Sequence, residues 1–418
     1  MSSSILNVVI VGGGFGGLAA ARSLSKSREI KVTLIDKRNY HLFQPLLYQV
    51  AMAGLSPAEI AYPLRALLSQ QKNVDILLGE VKTINKEEKW IETATNKIFF
   101  DYLILACGST YTYFNSPEWE PFAPGLKTIN QATEIRRRVF LAFEKAEREN
   151  DQQKQRMYTT FVVVGGGPTG VELAGSLGEI TRYSILRDFN HILTYQTKII
   201  LIEAGPRILP SMTPELSREA VRELDQLGVE VRVNTKVSEI NAKGIMAGND
   251  FIESETILWA AGVAANPLNK TLGAELDRQG RVIVKHDLSV PGHPSIFVIG
   301  DQAHYKWGTE NMPLPGLAPV AMQQGRFVGR LIKKTLTGKR SIETFKYIDK
   351  GQMATVGRSR AVAMYKGLHF SGFVAWMAWL LVHIYYLIGF KNRLFVLFQW
   401  AWTYMTFRRG ARLIIEKE

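Results

Sequence analysis

The sequence predicts an α/β protein with two parallel-sheet domains, each opened by its own glycine-rich turn, and a C-terminal helical unit. Two copies of one strand–glycine–helix pattern predict the sheets. A tail of uncharged aromatic runs separated by basic residues predicts the helices.

The first copy begins at residue 5. Ile5 to Val11 is an apolar, β-branched run of the kind found in a parallel strand buried on both faces. Gly12-Gly13-Gly14-Phe15-Gly16-Gly17 follows, then the helical stretch Leu18 to Leu24. Gly12, Gly14 and Gly17 fit G-x-G-x-x-G. The first permits a tight turn, the second lets a pyrophosphate approach the backbone, and the third lets helix and strand pack closely. The helix N-terminus faces the phosphate charge. A second strand, Lys31 to Ile35, ends at Asp36 and Lys37. A carboxylate there can accept the ribose hydroxyls of an adenosine. A glycine triplet alone is a weak signal. Strand, glycines, helix, strand and terminal acid together read as a Rossmann-type dinucleotide site.

The pattern recurs. Phe161 to Val164 leads into Gly165-Gly166-Gly167-Pro168-Thr169-Gly170, with Gly165, Gly167 and Gly170 in the three glycine positions. Pro168 suits a first helical turn, where its missing N–H is not needed. The matching strand, Lys198 to Ile202, ends in Glu203, and a later one ends at Ala260-Ala261-Gly262. The two motifs start 165 − 12 = 153 residues apart, room for a whole domain between them. Two such sites need two dinucleotides: FAD held tightly but non-covalently by the first, and a nicotinamide nucleotide visiting the second. Glu203 favours NADH, because its carboxylate repels a 2′-phosphate; Arg207 nearby works against that preference. A third apolar run, Pro294 to Ile299, ends in Gly300-Asp301, placed to close the FAD site at the ribityl chain.

Composition narrows the chemistry. The chain has one cysteine, Cys107, so it has no internal disulfide and no Cys-x-x-Cys pair; the thiol reads as a buried core group. No Cys/His cluster has metal-ligand spacing, so no metal is expected. Redox chemistry must run on a bound organic cofactor. The start of the chain lacks the basic region of a secretory signal, which places it in the cytosol or on the cytoplasmic face of a membrane.

The expected organisation is an FAD-binding domain in two parts (1–112 and 269–338), a helical connector (113–157), an NADH-binding domain (158–268) and a C-terminal region (339–418). The net charge is +13, and Lys350 to Glu418 carries 10 − 2 = +8 of it. Within that stretch Ser371 to Phe390 and Leu394 to Phe407 lack formal charge and hold four of the eight tryptophans. Aromatics at headgroup depth beside lysine and arginine read as helices lying in an anionic membrane interface. A single span by the twenty-residue run and a homodimer contact are the competing readings. No nucleic-acid motif accompanies the charge.

These residues resemble the type II NADH:quinone oxidoreductases, single-subunit membrane-associated NADH dehydrogenases. The resemblance covers nearly the whole chain. Its most specific element is Asn39 to Ala51 (Asn-Tyr-His-Leu-Phe-Gln-Pro-Leu-Leu-Tyr-Gln-Val-Ala), supported by Gly170 to Gly175, Ile202 to Arg207, Trp259 to Val263, Phe297 to Asp301 and Ala321 to Gly325. It implies the glutathione-reductase fold with a C-terminal membrane-binding part. It also implies hydride transfer from NADH to FAD, then two electrons to a membrane quinone without proton pumping. Many members carry Ala-Gln-x-x-x-Gln at the quinone site. Here the stretch is Ala318-Pro319-Val320-Ala321-Met322-Gln323, so Pro319 replaces the first amide and the quinone type stays open.

On this reading Gln44 and Pro45 line the flavin and quinone pocket. Gln323 and Gln324 bond the quinone or flavin edge, and Glu172 bonds near the nicotinamide or relays a proton. The bland alternatives are an ordinary loop for Gln44, a polar helix face for the glutamines, and a carboxylate complementing a helix dipole for Glu172. His383 reads as structural. The rival functions are a soluble-type NADH-dependent reductase of an electron-transfer protein and a membrane-bound flavoprotein NADH sensor.

Overall fold

The structure is a computed structural model that describes residues 5–185, 188–308, 312–336, 343–406 and 409–414. In chain order the elements that carry the argument are β1 (Leu6–Val11), α1 (Phe15–Leu24), β2 (Ile30–Asp36), α2 (Leu47–Ala51), β3 (Val74–Leu78), β4 (Tyr102–Leu105), α3 (Ile129–Arg148), β5 (Thr160–Val164), α4 (Pro168–Glu179), β6 (Lys198–Ile202), α5 (Pro214–Gln226), β7 (Val229–Arg232), β8 (Thr256–Trp259), β9 (Ser289–Val290), β10 (His293–Val298), α6 (Ala318–Leu336), β11 (Gln352–Gly357), β12 (Arg360–Tyr365), β13 (Leu368–Ser371), α7 (Gly372–Tyr386) and α8 (Phe390–Thr406). They fall into two compact units: 1–42, 61–110 and 263–349; and 43–60, 111–262 and 350–418.

The first unit is a six-stranded sheet in the order β9-β10-β4-β1-β2-β3, parallel except at β9. β1 is central, and Val8, Val9 and Ile10 are almost wholly buried, which explains its unbroken apolar run. α1 and α6 cross closely through glycines. A side chain at Gly325 would overlap the Gly16 carbonyl oxygen, and one at Gly329 would sit 2.6 Å from Ser23 Cβ.

The second unit repeats the plan on four parallel strands, β7-β6-β5-β8. β5 is buried along its length. α3 begins with a capping box between Thr128 and Gln131. The antiparallel sheet β11-β12-β13 and the helices α7 and α8 belong to this unit.

The two C-terminal apolar runs form helices with shifted limits. The twenty-residue run does not become one helix. α7 stops at Tyr386, Leu387 turns extended (φ −62°, ψ 130°), and Arg393 donates to the carbonyls of Tyr385 and Leu387. Satisfying those carbonyls from the following helix ends α7 after 15 residues. The single-span alternative is therefore set aside: among the described residues no helix is long and apolar enough to cross a membrane. α8 starts earlier than the uncharged run and takes in Lys391 and Arg393. Cys107 also departs from expectation: it is half-buried, packed against the edge of the first core rather than inside it.

Candidate functional site

Both glycine turns have the same internal geometry. In the first unit Gly12 adopts φ +105°, and its N–H donates to Ile35 O at 2.7 Å. Any side chain at Gly12 would overlap the Ala106 carbonyl, and any at Gly17 would overlap the Gly12 carbonyl. The space beside Gly14 is open. In the second unit Gly165 adopts φ +109° and donates to Ile202 O at 2.7 Å. A side chain at Gly170 would overlap Gly165 O, and the space beside Gly167 is open. Neither α1 nor α4 has a side-chain N-cap, which leaves both N-termini available to an anion.

The strand-ending acids tie these turns down. Asp36 Oδ2 accepts the Gly13 N–H at 2.6 Å and Oδ1 accepts the Arg38 N–H at 2.8 Å. Glu203 Oε2 accepts the Gly166 N–H at 2.7 Å and Oε1 the Gly205 N–H at 2.6 Å. Each oxygen keeps a lone pair for a ribose hydroxyl. Arg207 donates to Pro210 O inside its own loop. Lys37 is exposed and pairs with Glu80 at 3.5 Å. Ala261 and Gly262 follow β8, with Gly262 at φ +73°.

Sequence reasoning missed His41 as part of the first turn. Its Nδ1 donates to Gly13 O at 3.0 Å, and its ring meets Phe15 edge-on at 5.0 Å. Burial lowers its pKa, so the ring is neutral, and Nε2 is buried without a partner. The signal lay in the Asn39 to Ala51 run, but no local pattern joins position 41 to position 13.

Further along the first unit, Gly300 (φ +69°) turns the chain into Asp301, whose Oδ2 accepts from Ser109 Oγ at 2.6 Å. Gln324 is almost wholly buried, and its Oε1 accepts the Gly300 N–H at 2.6 Å. Gln323 exchanges two hydrogen bonds with the Ile348 backbone, at 2.9 and 3.0 Å. Both amides are thus engaged with the backbone. Pro319 is the second residue of α6, where a missing N–H costs nothing. A buried polar pair, Gln302 and Asn269, supports this turn: Gln302 accepts from Cys107 N at 2.5 Å and donates to Asn269 Oδ1 at 2.6 Å.

The second unit gathers the remaining candidates. Gln44 and Pro45 form a 3₁₀ turn into α2, with Gln44 exposed and donating to Lys127 O at 3.2 Å. Glu172 lies on α4. Burial pushes its carboxyl well above the usual range, against a hydrogen bond from the Thr355 backbone on β11. Tyr48 on α2 is buried, and its phenol is pushed up by burial first and by the nearby Glu172 second. Gln49 Nε2 donates to Tyr48 Oη at 3.0 Å, and Trp400 Nε1 donates to Gln49 Oε1 at 2.8 Å. Beside this ladder Arg409 pairs with Glu179 at 2.7 Å and donates to Met52 O at 2.7 Å. His383 donates to Trp379 O at 2.7 Å, and burial lowers its pKa to about 4.

Residues 6–325 match the family model of the pyridine nucleotide-disulphide oxidoreductases. The type II NADH:quinone oxidoreductase NdhA of Mycobacterium tuberculosis is 42% identical over 427 residues, covering 97% of this chain and 89% of the relative. A Staphylococcus aureus type II NADH:quinone oxidoreductase is 31% identical over 386 residues, covering 89% and 92%. The solved structure of NDH2 from Plasmodium falciparum in complex with NADH shares the fold with a TM-score of 0.89 at 21% identity, covering 99% of this chain and all of that one.

Proposed function

The chain belongs to the pyridine nucleotide-disulphide oxidoreductases and, within them, to the type II NADH:quinone oxidoreductases, and from that premise we propose that it oxidises NADH, reduces a membrane quinone and pumps no protons. The balanced reaction is NADH + H⁺ + quinone → NAD⁺ + quinol. The observation that carries the reading is the duplicated turn: one chain with two sites for dinucleotides.

FAD fits the first unit. The open face of Gly14, the uncapped start of α1 and the carboxylate of Asp36 suit a pyrophosphate and ribose, and Asp301 suits the ribityl chain. FAD bound there would supply the two-electron chemistry between NADH and the quinone. Gly165, Gly167, Gly170 and Glu203 hold NADH, with Ala261 and Gly262 beside it. By the family resemblance Gln44 and Pro45 are assigned to the flavin and quinone pocket. Gln323 and Gln324 act by fixing the backbone around Gly300 and Ile348. Glu172, its carboxyl pushed up by burial, bonds near the nicotinamide or relays a proton.

The protein works at the cytoplasmic face of a membrane. α7 and α8 expose Phe373, Leu381, Tyr385, Phe398, Trp402 and Met405 in a stretch that also holds most of the basic excess, which suits an anionic interface. The test is purification in mild detergent, then NADH absorbance with and without a short-chain quinone, and NADPH in parallel. Rapid quinone-dependent NADH oxidation is expected. A flavin bleached by NADH and never restored by quinone would instead favour an electron-transfer-protein reductase or an NADH sensor.

A further inference from the structure

The two glycine turns differ in one hydrogen bond. In each, the second glycine is fixed at both of its backbone polar groups. In the first unit the Gly13 N–H donates to Asp36 Oδ2 at 2.6 Å, and the Gly13 carbonyl accepts from His41 Nδ1 at 3.0 Å. In the second unit the Gly166 N–H donates to Glu203 Oε2 at 2.7 Å, and the Gly166 carbonyl accepts from the backbone N–H of Leu209, also at 2.7 Å. The acids correspond and the carbonyl partners do not. A side chain from the short strand Tyr40–Leu42 does in one turn what the main chain does in the other.

That bond sets the direction of the next amide. A trans peptide is planar, so the carbonyl of one residue and the N–H of the next point opposite ways. Holding the Gly13 carbonyl on His41 therefore turns the Gly14 N–H to the other side. Gly14 is the N-cap of α1, and its N–H has no acceptor among the described residues. A side chain placed there would find nothing within 4 Å. A free donor on an open face at a helix start is what a diphosphate needs. Packing alone does not account for the imidazole. His41 is 1% exposed, its ring meets Phe15 edge-on, and its Nε2 is buried without a partner. A phenylalanine would make the same edge contact and leave no buried nitrogen unmet, which is destabilising. The ring is neutral because burial lowers its pKa, so it carries one proton. The Gly13 oxygen only accepts, which puts that proton on Nδ1.

We propose that His41 is a positioning residue of the FAD site: its Nδ1–H holds the Gly13 carbonyl and so presents the Gly14 N–H to the FAD diphosphate. The inference rests on the reading of the first turn as an FAD site. It makes the two turns unequal in what breaks them. The hold on Gly166 comes from a backbone N–H, which only proline removes. The hold on Gly13 depends on a single side chain.

Two variants separate this role from packing, because the two roles rank them in opposite orders. His41→Phe keeps the ring edge against Phe15 and removes the donor. His41→Asn loses the ring, but its amide nitrogen takes the place of Nδ1 and can donate to the Gly13 oxygen. Serial dilution of each purified holoenzyme, with released FAD read by its fluorescence, gives the FAD Kd. His41→Phe should bind FAD roughly fivefold to tenfold more weakly than wild type, the effect of one hydrogen bond, and His41→Asn should stay within about twofold. The NADH concentration that gives half the maximal rate of anaerobic flavin bleaching should not move in either. A histidine that only packs reverses the order, with His41→Asn the weaker binder. That order, equal weakening of both variants, or equal Kd values in all three proteins overturns the proposal. The tautomer is a check on wild-type holoenzyme alone: in isotope-labelled histidine spectra the ring in contact with Phe15 should carry its proton on Nδ1, and a proton on Nε2 overturns the proposal as well. If the cofactor released from wild type by heating is not FAD, the reading of the first turn falls and takes this one with it. The wrong order with FAD bound removes the positioning role alone.

Discussion

The two units solve the same problem twice, and they differ where their helices lean. Both place a positive-φ glycine at the end of a buried strand, tie the next glycine's amide to a strand-ending carboxylate, and leave the helix start uncapped. In the first unit the glycine-turn helix α1 packs on α6 through Gly325 and Gly329, so the whole turn is braced by another helix. In the second, α4 packs on a strand: a side chain at Gly175 would overlap the Val356 carbonyl of β11. That neighbour also brings Thr355 to Glu172. The two turns thus share one geometry and differ in what braces them, a helix in the first unit and a strand in the second.

The largest effect comes from breaking the two turns in parallel. Gly17→Val and Gly170→Val each drive a side chain into the carbonyl of the motif's first glycine. Overpacking of this kind costs about 1–3 kcal/mol, roughly a tenfold or greater loss of affinity. Gly17→Val should purify with little flavin, read by visible absorption. Gly170→Val should purify yellow and bleach only at raised NADH. If both lose flavin equally, the division of labour between the turns is wrong.

A second variant sharpens the comparison of the acids. Glu203→Gln keeps the shape of the side chain and removes the charge, at the loss of one of the two acceptors that meet the Gly166 and Gly205 amides. The ratio of kcat/KM for NADPH to that for NADH should rise roughly tenfold, because a like-charge contact with the 2′-phosphate is lost. An unchanged ratio would place the selectivity elsewhere, with Arg207 the first residue to examine.

Both turns were legible in the sequence because glycine spacing is itself a geometric statement: no other residue fits Gly12 or Gly165 at those φ values against those carbonyls. The strand ends at Asp36 and Glu203 were legible for the same reason. The Tyr48–Gln49–Trp400 ladder was not, since 351 residues separate Gln49 from Trp400. The environment of Glu172 was hidden too, because its partner Thr355 comes from a strand with no motif of its own. The break after Tyr386 was missed because composition cannot show Arg393 reaching back to the helix's last carbonyls.

Gln324→Leu tests the bracing of the first turn. It leaves the Gly300 N–H without its acceptor in a largely buried setting. The expected loss is about 1–3 kcal/mol in denaturant unfolding, with a matching drop in flavin retention. Loss of stability with flavin fully retained would uncouple α6 from the Asp301 turn.

The smallest effects separate the units by the sign of their pH dependence. In the second unit Glu223 on α5 is 5% exposed; burial, then repulsion from Glu219, raises its pKa to about 7, while Arg360 and Arg222 oppose the shift. A raised folded pKa means stability that is complete below the ordinary value of 4.5 and is lost as pH climbs through about 7. Glu223→Gln should match the wild type near pH 4.5 and exceed its thermal midpoint by roughly 2–6 °C at pH 8. In the first unit burial tends to raise Asp277, but hydrogen bonds from His304 and Arg281 outweigh it and hold the carboxyl below its ordinary 3.8. Its contribution is present above that value and disappears in acid, so Asp277→Asn should lower the midpoint at pH 7 and converge on the wild type as pH falls below 3.8. Opposite slopes in the two difference curves would show the units titrating by their own local electrostatics; parallel slopes would mean that a group shared by both controls the unfolding of the chain.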